Sequence, residues 1–261
     1  MMSVKSVDDQ IGAVADMIVQ SRRVVVFTGA GVSTESGIPD FRSPGGVWDR
    51  FDPDEFTIQR FLSSAETRAK QWNLLIESGI IVDALPNSAH SAIADIEKLG
   101  KLSCVITQNI DNLHQKAGNS PEKVFELHGN MNWVLCLNCH SRYPLPEIRK
   151  RLDLASGPPY CEKCSGILKP DVVFFGEALP SLVLNNAIRH SRECDLLIVV
   201  GSSLVVYPAA YMPVYAKSAG ARVVIVNLTS TEYDMMADEV INQKAGEVML
   251  RVMEAVQKRL S

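Results

Sequence analysis

Six short β-branched runs constrain this chain more than any other feature. They lie at residues 23–28 (RVVVFT), 102–108 (LSCVITQ), 123–127 (KVFEL), 172–175 (VVFF), 195–201 (DLLIVVG) and 222–228 (RVVIVNL). A strand with one wet face alternates apolar and polar residues; most of these runs do not, so they read as strands of a parallel sheet covered on both faces. Helical spacing fills many of the intervals, at 88–99, 181–192, 209–219 and 245–260. Strands alternating with helices predict a doubly wound α/β fold.

Two stretches break the rhythm. Residues 43–79 carry no strand signal, opening rich in Gly, Pro and aromatics and turning helix-like over 59–77. Residues 132–166 hold two C-x-x-C pairs, four prolines and little apolar periodicity. Both read as insertions into the α/β body. At 261 residues the chain lies between one large domain and two small ones. With 46% apolar and 21% charged residues it has ample material for a core and is neither disordered nor fibrous.

A net charge of −4 argues against a general nucleic-acid surface. The basic group Arg142, Arg149, Lys150 and Arg151 reads as a solvated face rather than a nucleic-acid patch. No apolar run is long enough to span a bilayer, and the N-terminal stretch, mixing charge and apolar residues at helical spacing, lacks a signal peptide's apolar block. The expectation is a cytoplasmic protein with no membrane or nucleic-acid partner.

The first strand runs into Gly29-Ala30-Gly31-Val32-Ser33, where a helix is expected to begin. Glycines there let the backbone approach a pyrophosphate at a helix N-terminus. Thr34 replaces the third glycine of G-x-G-x-x-G, so this turn alone does not separate a dinucleotide site from an ordinary strand-to-helix turn. The following loop, Ser36 to Ser43 (SGIPDFRS), places Arg42 to meet a phosphate and Phe41 to cover a ring; the plainer reading is a surface loop with a solvated arginine.

The run LSCVITQ passes directly into Asn109-Ile110-Asp111-Asn112-Leu113-His114. Ligands of open α/β sheets sit at the carboxyl ends of strands. Gln108, Asn109 and Asp111 together suit ribose hydroxyls and a carboxamide, whereas helix capping needs only one such residue. His128 also stands at a strand end, and its ordinary pKa near neutrality suits a general base. Of the other histidines, His90 and His190 fall in helical stretches, His140 lies beside a cysteine pair, and His114 is harder to set aside.

Four cysteines form the strongest local signal. Cys136-x-x-Cys139 and Cys161-x-x-Cys164 are separated by 21 residues, the pattern of two knuckles closing a tetrahedral zinc site. Four thiolates fill the shell, so the zinc is expected to be structural. Cys104 and Cys194, in or beside apolar strands, read as inert core residues.

In this order, the stretches GAGVS and GIPDFR, the run TQNID, His128-Gly129, the cysteine pairs, residues 169–177 (KPDVVFFGE), residues 201–210 (GSSLVVYPAA) and Asn227 resemble the sirtuins, NAD-dependent protein lysine deacetylases, in their bacterial or archaeal type. The resemblance spans nearly the whole chain. It implies a Rossmann-like domain over 1–42, 80–131 and 167–261, and a small domain made of the 43–79 helical insertion and the 132–166 zinc module. NAD and an acetyl-lysine peptide would enter the cleft between them. By matching positions, Ala30, Thr34, Phe41 and Arg42 would contact NAD at its phosphates and nicotinamide end. Gln108, Ile110 and Asp111 would line the nicotinamide pocket. Asn109 would act on the ribose, Ser202, Ser203, Asn227 and Ala245 would hold the adenosine half, and His128 would be the base. Val172, Phe174, Leu204 and Val206 would meet the peptide, with Val173 and Val205 the ones better suited to plain sheet core.

The resemblance further implies transfer of the acetyl group to ADP-ribose with release of nicotinamide; a monomer is expected. Residues 59–77 contain no tyrosine, so the Tyr-x-x-Arg pair of sirtuins that prefer acidic acyl groups is missing, and acetyl-lysine is the expected substrate. The alternative weighed against this is an NAD-dependent dehydrogenase with a structural zinc, which gives the Gln-Asn-Ile-Asp cluster no role.

Overall fold

The structure, a computed structural model, describes residues 5–77, 83–152 and 157–261. Its body is a six-stranded, all-parallel sheet of β1 (Val24–Thr28), β2 (Leu102–Thr107), β3 (Val124–Glu126), β7 (Leu196–Val200), β8 (Arg222–Val226) and β9 (Glu239–Ile241). The spatial order is β3-β2-β1-β7-β8-β9, so the chain leaves β1 in one direction and later returns to its other side. A crevice opens at such a switch point, beyond the strand ends.

Every residue of β1 and β7 is buried. Val24 and Val26 pack with Ile11, Ile93 and Val252 from the helices Val7–Gln20, Ser88–Lys98 and Ala245–Leu260. Val25 and Phe27 turn to the opposite layer, with Ala187 and Ala216 from the helices Ser181–Glu193 and Met212–Ser218. The period of two sends alternate residues of one apolar run into two cores. Each such side chain contributes about 1.5–3 kcal/mol of burial, which makes this sheet the rigid platform of the molecule.

A second, antiparallel sheet has the order β5-β4-β6, from β4 (Gly129–Cys136), β5 (Arg142–Pro144) and β6 (Leu168–Val172). Its core joins Val134, Ile148 and Leu168 to Phe61 and Trp72 from the helices Ile58–Ser63 and Ala65–Glu77. The two stretches that interrupt the α/β rhythm therefore pack on one another.

Several expectations change in detail. The turn after β1 forms a 3-10 helix, Ala30–Ser36, instead of opening an α-helix, and stops at Gly37, whose φ of 84° is left-handed. Of the 172–175 run only Val172 is strand, and it pairs antiparallel with Gly129 outside the main sheet. The expected helix over 59–77 is broken at Ser64, which is extended. The small sheet begins at residue 129 and ends at 172, wider than the expected 132–166, because the chain turns directly after His128 at Gly129 (φ 79°). The boundary expected near residue 79 lies outside the described residues. No helix among the described residues is long and apolar enough to cross a membrane.

Candidate active site

The crevice is built by backbones that approach closely at the ends of β1 and β7. Gly31 N–H donates to the Gly201 carbonyl at 2.8 Å. A Cβ on Gly201, at φ 63°, would stand 2.1 Å from the Val32 nitrogen. Only glycine permits both the left-handed backbone and the contact. This is the physical content of the glycine turn: it lets two loops touch where the strand order reverses.

Around that point the sequence-nominated polar residues assemble. Gln108 Nε2 donates to Ser202 Oγ at 2.9 Å, joining the ends of β2 and β7 across β1. Asn109 Nδ2 donates to Ser33 Oγ (3.1 Å), and Ser33 Oγ donates to Asp111 Oδ2 (2.7 Å). The other Asp111 oxygen accepts the Leu113 N–H at 2.9 Å, which caps the short helix Leu113–Ala117. Asp111 thus does cap a helix, but it is also buried and tied to Asn109 through Ser33. Ser33 is a site residue that spacing alone did not single out, since a small hydroxyl in a glycine-rich turn carries no signature of its own.

His128 Nδ1 bonds the Gln108 carbonyl at 2.9 Å. A carbonyl only accepts, so the proton is on Nδ1 and Nε2 is left as the basic nitrogen. Burial lowers the His128 pKa below its ordinary 6.5, partly offset by that bond, and keeps the ring neutral at pH 7. The His128 carbonyl accepts the Val173 N–H at 2.8 Å, fastening the 172–175 segment beside the histidine.

That segment is organised by a partly buried ion pair. Lys169 Nζ meets Glu177 Oε2 at 2.9 Å and donates to the Val172 carbonyl, while the same Glu177 oxygen accepts the Phe174 N–H at 2.7 Å. Val172 and Phe174 point into the small core, Leu204 is also buried, and Val206 is partly covered. Val205, expected in sheet core, is instead 44% exposed, and Val173 is partly exposed. Neither Val173 nor Val205 lies in a strand: β6 ends at Val172 and β7 at Val200, and Leu204, beside Val205, sits at a left-handed φ of 56°.

The remaining nominated residues are spread around the rim. Thr34 is exposed and bonds the Gly31 carbonyl at 3.0 Å, with Ala30 partly covered in the same turn. Phe41 is exposed, its ring 5.1 Å from that of Trp48. The Arg42 N–H is held by Asp40 Oδ1 at 2.8 Å and its side chain stands in an exposed loop. Ile110 holds the β4 entry through Met131 N–H (3.0 Å). Asn227 is buried with Nδ2 on the Thr229 carbonyl (2.8 Å), Ser203 is partly covered, and Ala245 is buried at the first turn of the last helix. Gly246 N–H, one residue on, donates to Glu35 Oε2 at 2.6 Å.

Away from this crevice, Cys136, Cys139, Cys161 and Cys164 gather with all four Sγ atoms within 4.8 Å of one another. Contacts of 3.5 Å (Cys136–Cys164) and 3.7 Å (Cys139–Cys161) match the roughly 3.8 Å sulfur spacing around a tetrahedral zinc with bonds of about 2.3 Å. A Cβ on Gly166 would stand 3.0 and 3.2 Å from two of the sulfurs, so the knuckle is tight enough to require glycine there. The Tyr143 hydroxyl lies 3.1 Å from Cys161 Sγ, a hydrogen bond that orients a ligand. The donor set fits a structural zinc. Cys104 and Cys194 are buried, and burial pushes the Cys194 thiol up to about 12, which leaves it unreactive. The basic group is partly tied down: Arg142 pairs with Asp171 and covers Trp133, and Arg151 pairs with Glu162.

A parallel sheet with a glycine-lined switch point, a polar strand end and a detached four-cysteine module defines a nucleotide-binding class of α/β protein. Comparison with known proteins narrows it. Residues 29–208 match the Sir2 family. The "NAD-dependent protein deacetylase 1" of Pyrobaculum aerophilum is 44% identical over 260 residues, covering 99% of this chain and all of that one. A solved Sir2 homologue in complex with NAD superposes with a TM-score of 0.86 at 39% identity, over 95% of this chain and 94% of that one. A Sir2 structure with a deacetylated p53 peptide and 3'-O-acetyl ADP-ribose gives 0.86 at 40% identity, over 94% of this chain and 97% of that one. The chain belongs to the Sir2 family. The dehydrogenase alternative finds no support.

Proposed function

We propose that the chain is an NAD-dependent protein lysine deacetylase that moves an acetyl group from lysine to ADP-ribose and releases nicotinamide. The observation that carries this reading is the linked set His128–Gln108–Ser202 and Asn109–Ser33–Asp111 at the switch point of a Sir2-family fold. We take the NAD-binding body to be 1–42, 80–128 and 173–261, and the small domain to be 43–79 with 129–172, so that β4 and β6 stay with the sheet they form, the cleft between the two admitting both substrates.

In that cleft Asp111 fixes the nicotinamide carboxamide with Gln108 and Ile110, and Asn109 holds the ribose. Arg42, Thr34 and Ala30 border the phosphates, with Phe41 over the nicotinamide end, and Ser202, Ser203, Asn227 and Ala245 border the adenosine. Holding the cationic nicotinamide out of line favours its departure, and the acetyl oxygen of the substrate lysine attacks the ribose carbon. His128, neutral and with Nε2 bare, then takes the proton of a ribose hydroxyl so that its oxygen attacks the acetyl carbon. The carbon–nitrogen bond breaks, lysine leaves as the protonated amine, and a water adds to the acetyl carbon, leaving the acetyl group on one ribose oxygen and a free hydroxyl on the other. Val172, Phe174, Leu204 and Val206 belong to the two segments that receive the peptide as an added strand; three of the four are turned inward, so the backbone does the pairing. Zinc, held by four thiolates, supports the small domain and enters no step.

Acetyl-lysine has lost its charge and is buried far more cheaply than lysine. With no tyrosine in 59–77 to pair with an arginine, an acidic acyl group lacks its fixed anion clamp. On one peptide carrying either group, deacetylation is expected to exceed desuccinylation by at least about tenfold, the effect of about 1.4 kcal/mol; faster desuccinylation overturns the assignment. We place the protein in the cytoplasm as a monomer without a nucleic-acid partner, in keeping with its gathered four-thiol set and net charge of −4.

A further inference from the structure

Two histidines with no part in the site lie beneath it. His90 and His114 are 0% and 1% exposed, their ring centroids 5.0 Å apart with planes tilted by 57°. Hydrogen bonds settle the tautomer of each ring. The Asn87 backbone N–H donates to His90 Nδ1 at 3.3 Å, so that nitrogen is bare and the proton is on Nε2. Thr28 Oγ1 gives its single hydrogen to Thr107 Oγ1 at 2.8 Å. Its 2.9 Å contact with His114 Nε2 is therefore donated by the ring, and His114 Nδ1 is bare.

Two atoms are left over: His90 Nε2–H and His114 Nδ1, both buried and both without a partner among the described residues. One is a donor and the other an acceptor. Leaving both unpaired in a dry interior is costly, and pairing them removes the cost at once. Two imidazoles joined through facing nitrogens have centroids about 5 Å apart, from an N–H···N span of about 2.9 Å plus about 1.1 Å inside each ring. The observed spacing agrees, so a modest ring rotation closes the bond.

We propose that His90 Nε2–H donates to His114 Nδ1, completing a one-way chain from Asn87 through both histidines and Thr28 to Thr107, and that this chain positions Asn109. The far end is already in place, because Thr107 Oγ1 also accepts the Asn109 N–H at 3.0 Å. The near end is anchored by Asn87 Nδ2, which donates to the Val32 carbonyl and to Ser36 Oγ in the turn after β1. The chain thus runs under the crevice and spans the two loops that carry Ser33 and Asn109. Burial holds both rings neutral: it takes His90 to about 4 against an opposing pull from Asp111, and His114 well below its ordinary value, aided by His90. His90 and His114 are positioning residues. Their effect on the reaction rests on the role proposed for Asn109, but their pairing does not.

The pairing is tested on the full-length, zinc-loaded wild-type protein by long-range proton–nitrogen NMR of ¹⁵N-histidine, from about pH 5 to about pH 8, where an ordinary histidine changes charge. Two rings locked as neutral Nε2–H tautomers, with no titration across the range and slow exchange of both protons, are expected. An Nδ1–H tautomer in either ring, or titration of either near its ordinary value, overturns the chain. The positioning role is tested with His114→Phe and His114→Gln, the second keeping a donor that reaches Thr28. His114→Phe is expected to lower kcat at least about tenfold with the peptide KM unchanged, and His114→Gln to recover most of that loss even if both variants melt alike. Equal kcat losses that follow melting temperature reduce the pair to a structural role. Correct tautomers in a wild-type protein without deacetylase activity leave the pairing standing and remove the function instead.

Discussion

The parallel sheet buries all of β1 and β7 between two helical layers, whereas the antiparallel sheet beside it leaves β5 with no fully buried residue and is tied together by four cysteines at one end. The first draws its stability from apolar area contributed by most of the chain. The second has one small core, around Phe61, Trp72, Val134 and Leu168, and a metal-ligand set in place of a larger one. Small units that cannot bury enough surface commonly rely on such a device. The candidate site lies where the two meet: the polar strand end belongs to the large sheet, and the 172–175 segment, hung from His128, comes off the small one.

If the contrast holds, damage to one region should leave the other largely intact. Structural zinc supplies about 10–16 kcal/mol of apparent binding free energy in small modules, so its removal should produce the largest effect. Cys161→Ser is expected to lose stoichiometric zinc and the small-domain transition in thermal unfolding, while the main transition persists. A zinc-loaded variant of full stability contradicts the ligand assignment, and loss of both transitions together breaks the comparison. On the other side, Gly201→Ala places a Cβ 2.1 Å from the Val32 nitrogen. It is expected to cost at least about 3 kcal/mol of body stability with zinc content unchanged.

His128→Ala should separate chemistry from both folds. A fall of about 10²–10⁴-fold in deacetylation is expected, the usual worth of a general base, with melting and zinc unaltered. Full activity in the folded variant removes His128 from that role. The smallest effect concerns pH. The base must be neutral to accept a proton, and burial lowers its pKa, so the midpoint of the acid-side fall in kcat/KM should lie below pH 6.5. A midpoint at or above pH 6.5 places the titrating base elsewhere.

How much of this was legible in the sequence differs between the regions for the same physical reason. The cysteine spacing and the apolar runs are local signals, and the spacing and five of the six runs lead directly to the elements observed. The 172–175 run misled because an apolar stretch does not say whether it faces a parallel sheet or a second core, and Lys169–Glu177, a contact across a turn, draws it out of the strand. The polar strand end was legible as a cluster, but its wiring was not. Ser33 lies 76 residues from Asn109, and only the switch point brings them together. β9, three residues of mixed polarity, carries no periodic signal and is a strand only because β8 lies beside it.

The central claim, that the linked strand-end cluster performs NAD-dependent deacetylation, is tested most directly by following products from the zinc-loaded protein with NAD and an acetylated lysine peptide. The account predicts equal amounts of nicotinamide, free lysine peptide and O-acetyl-ADP-ribose, formed only when both substrates are present and without the absorbance of reduced nicotinamide. Nicotinamide release indifferent to the acetyl group, or reduction of NAD in place of its cleavage, contradicts it.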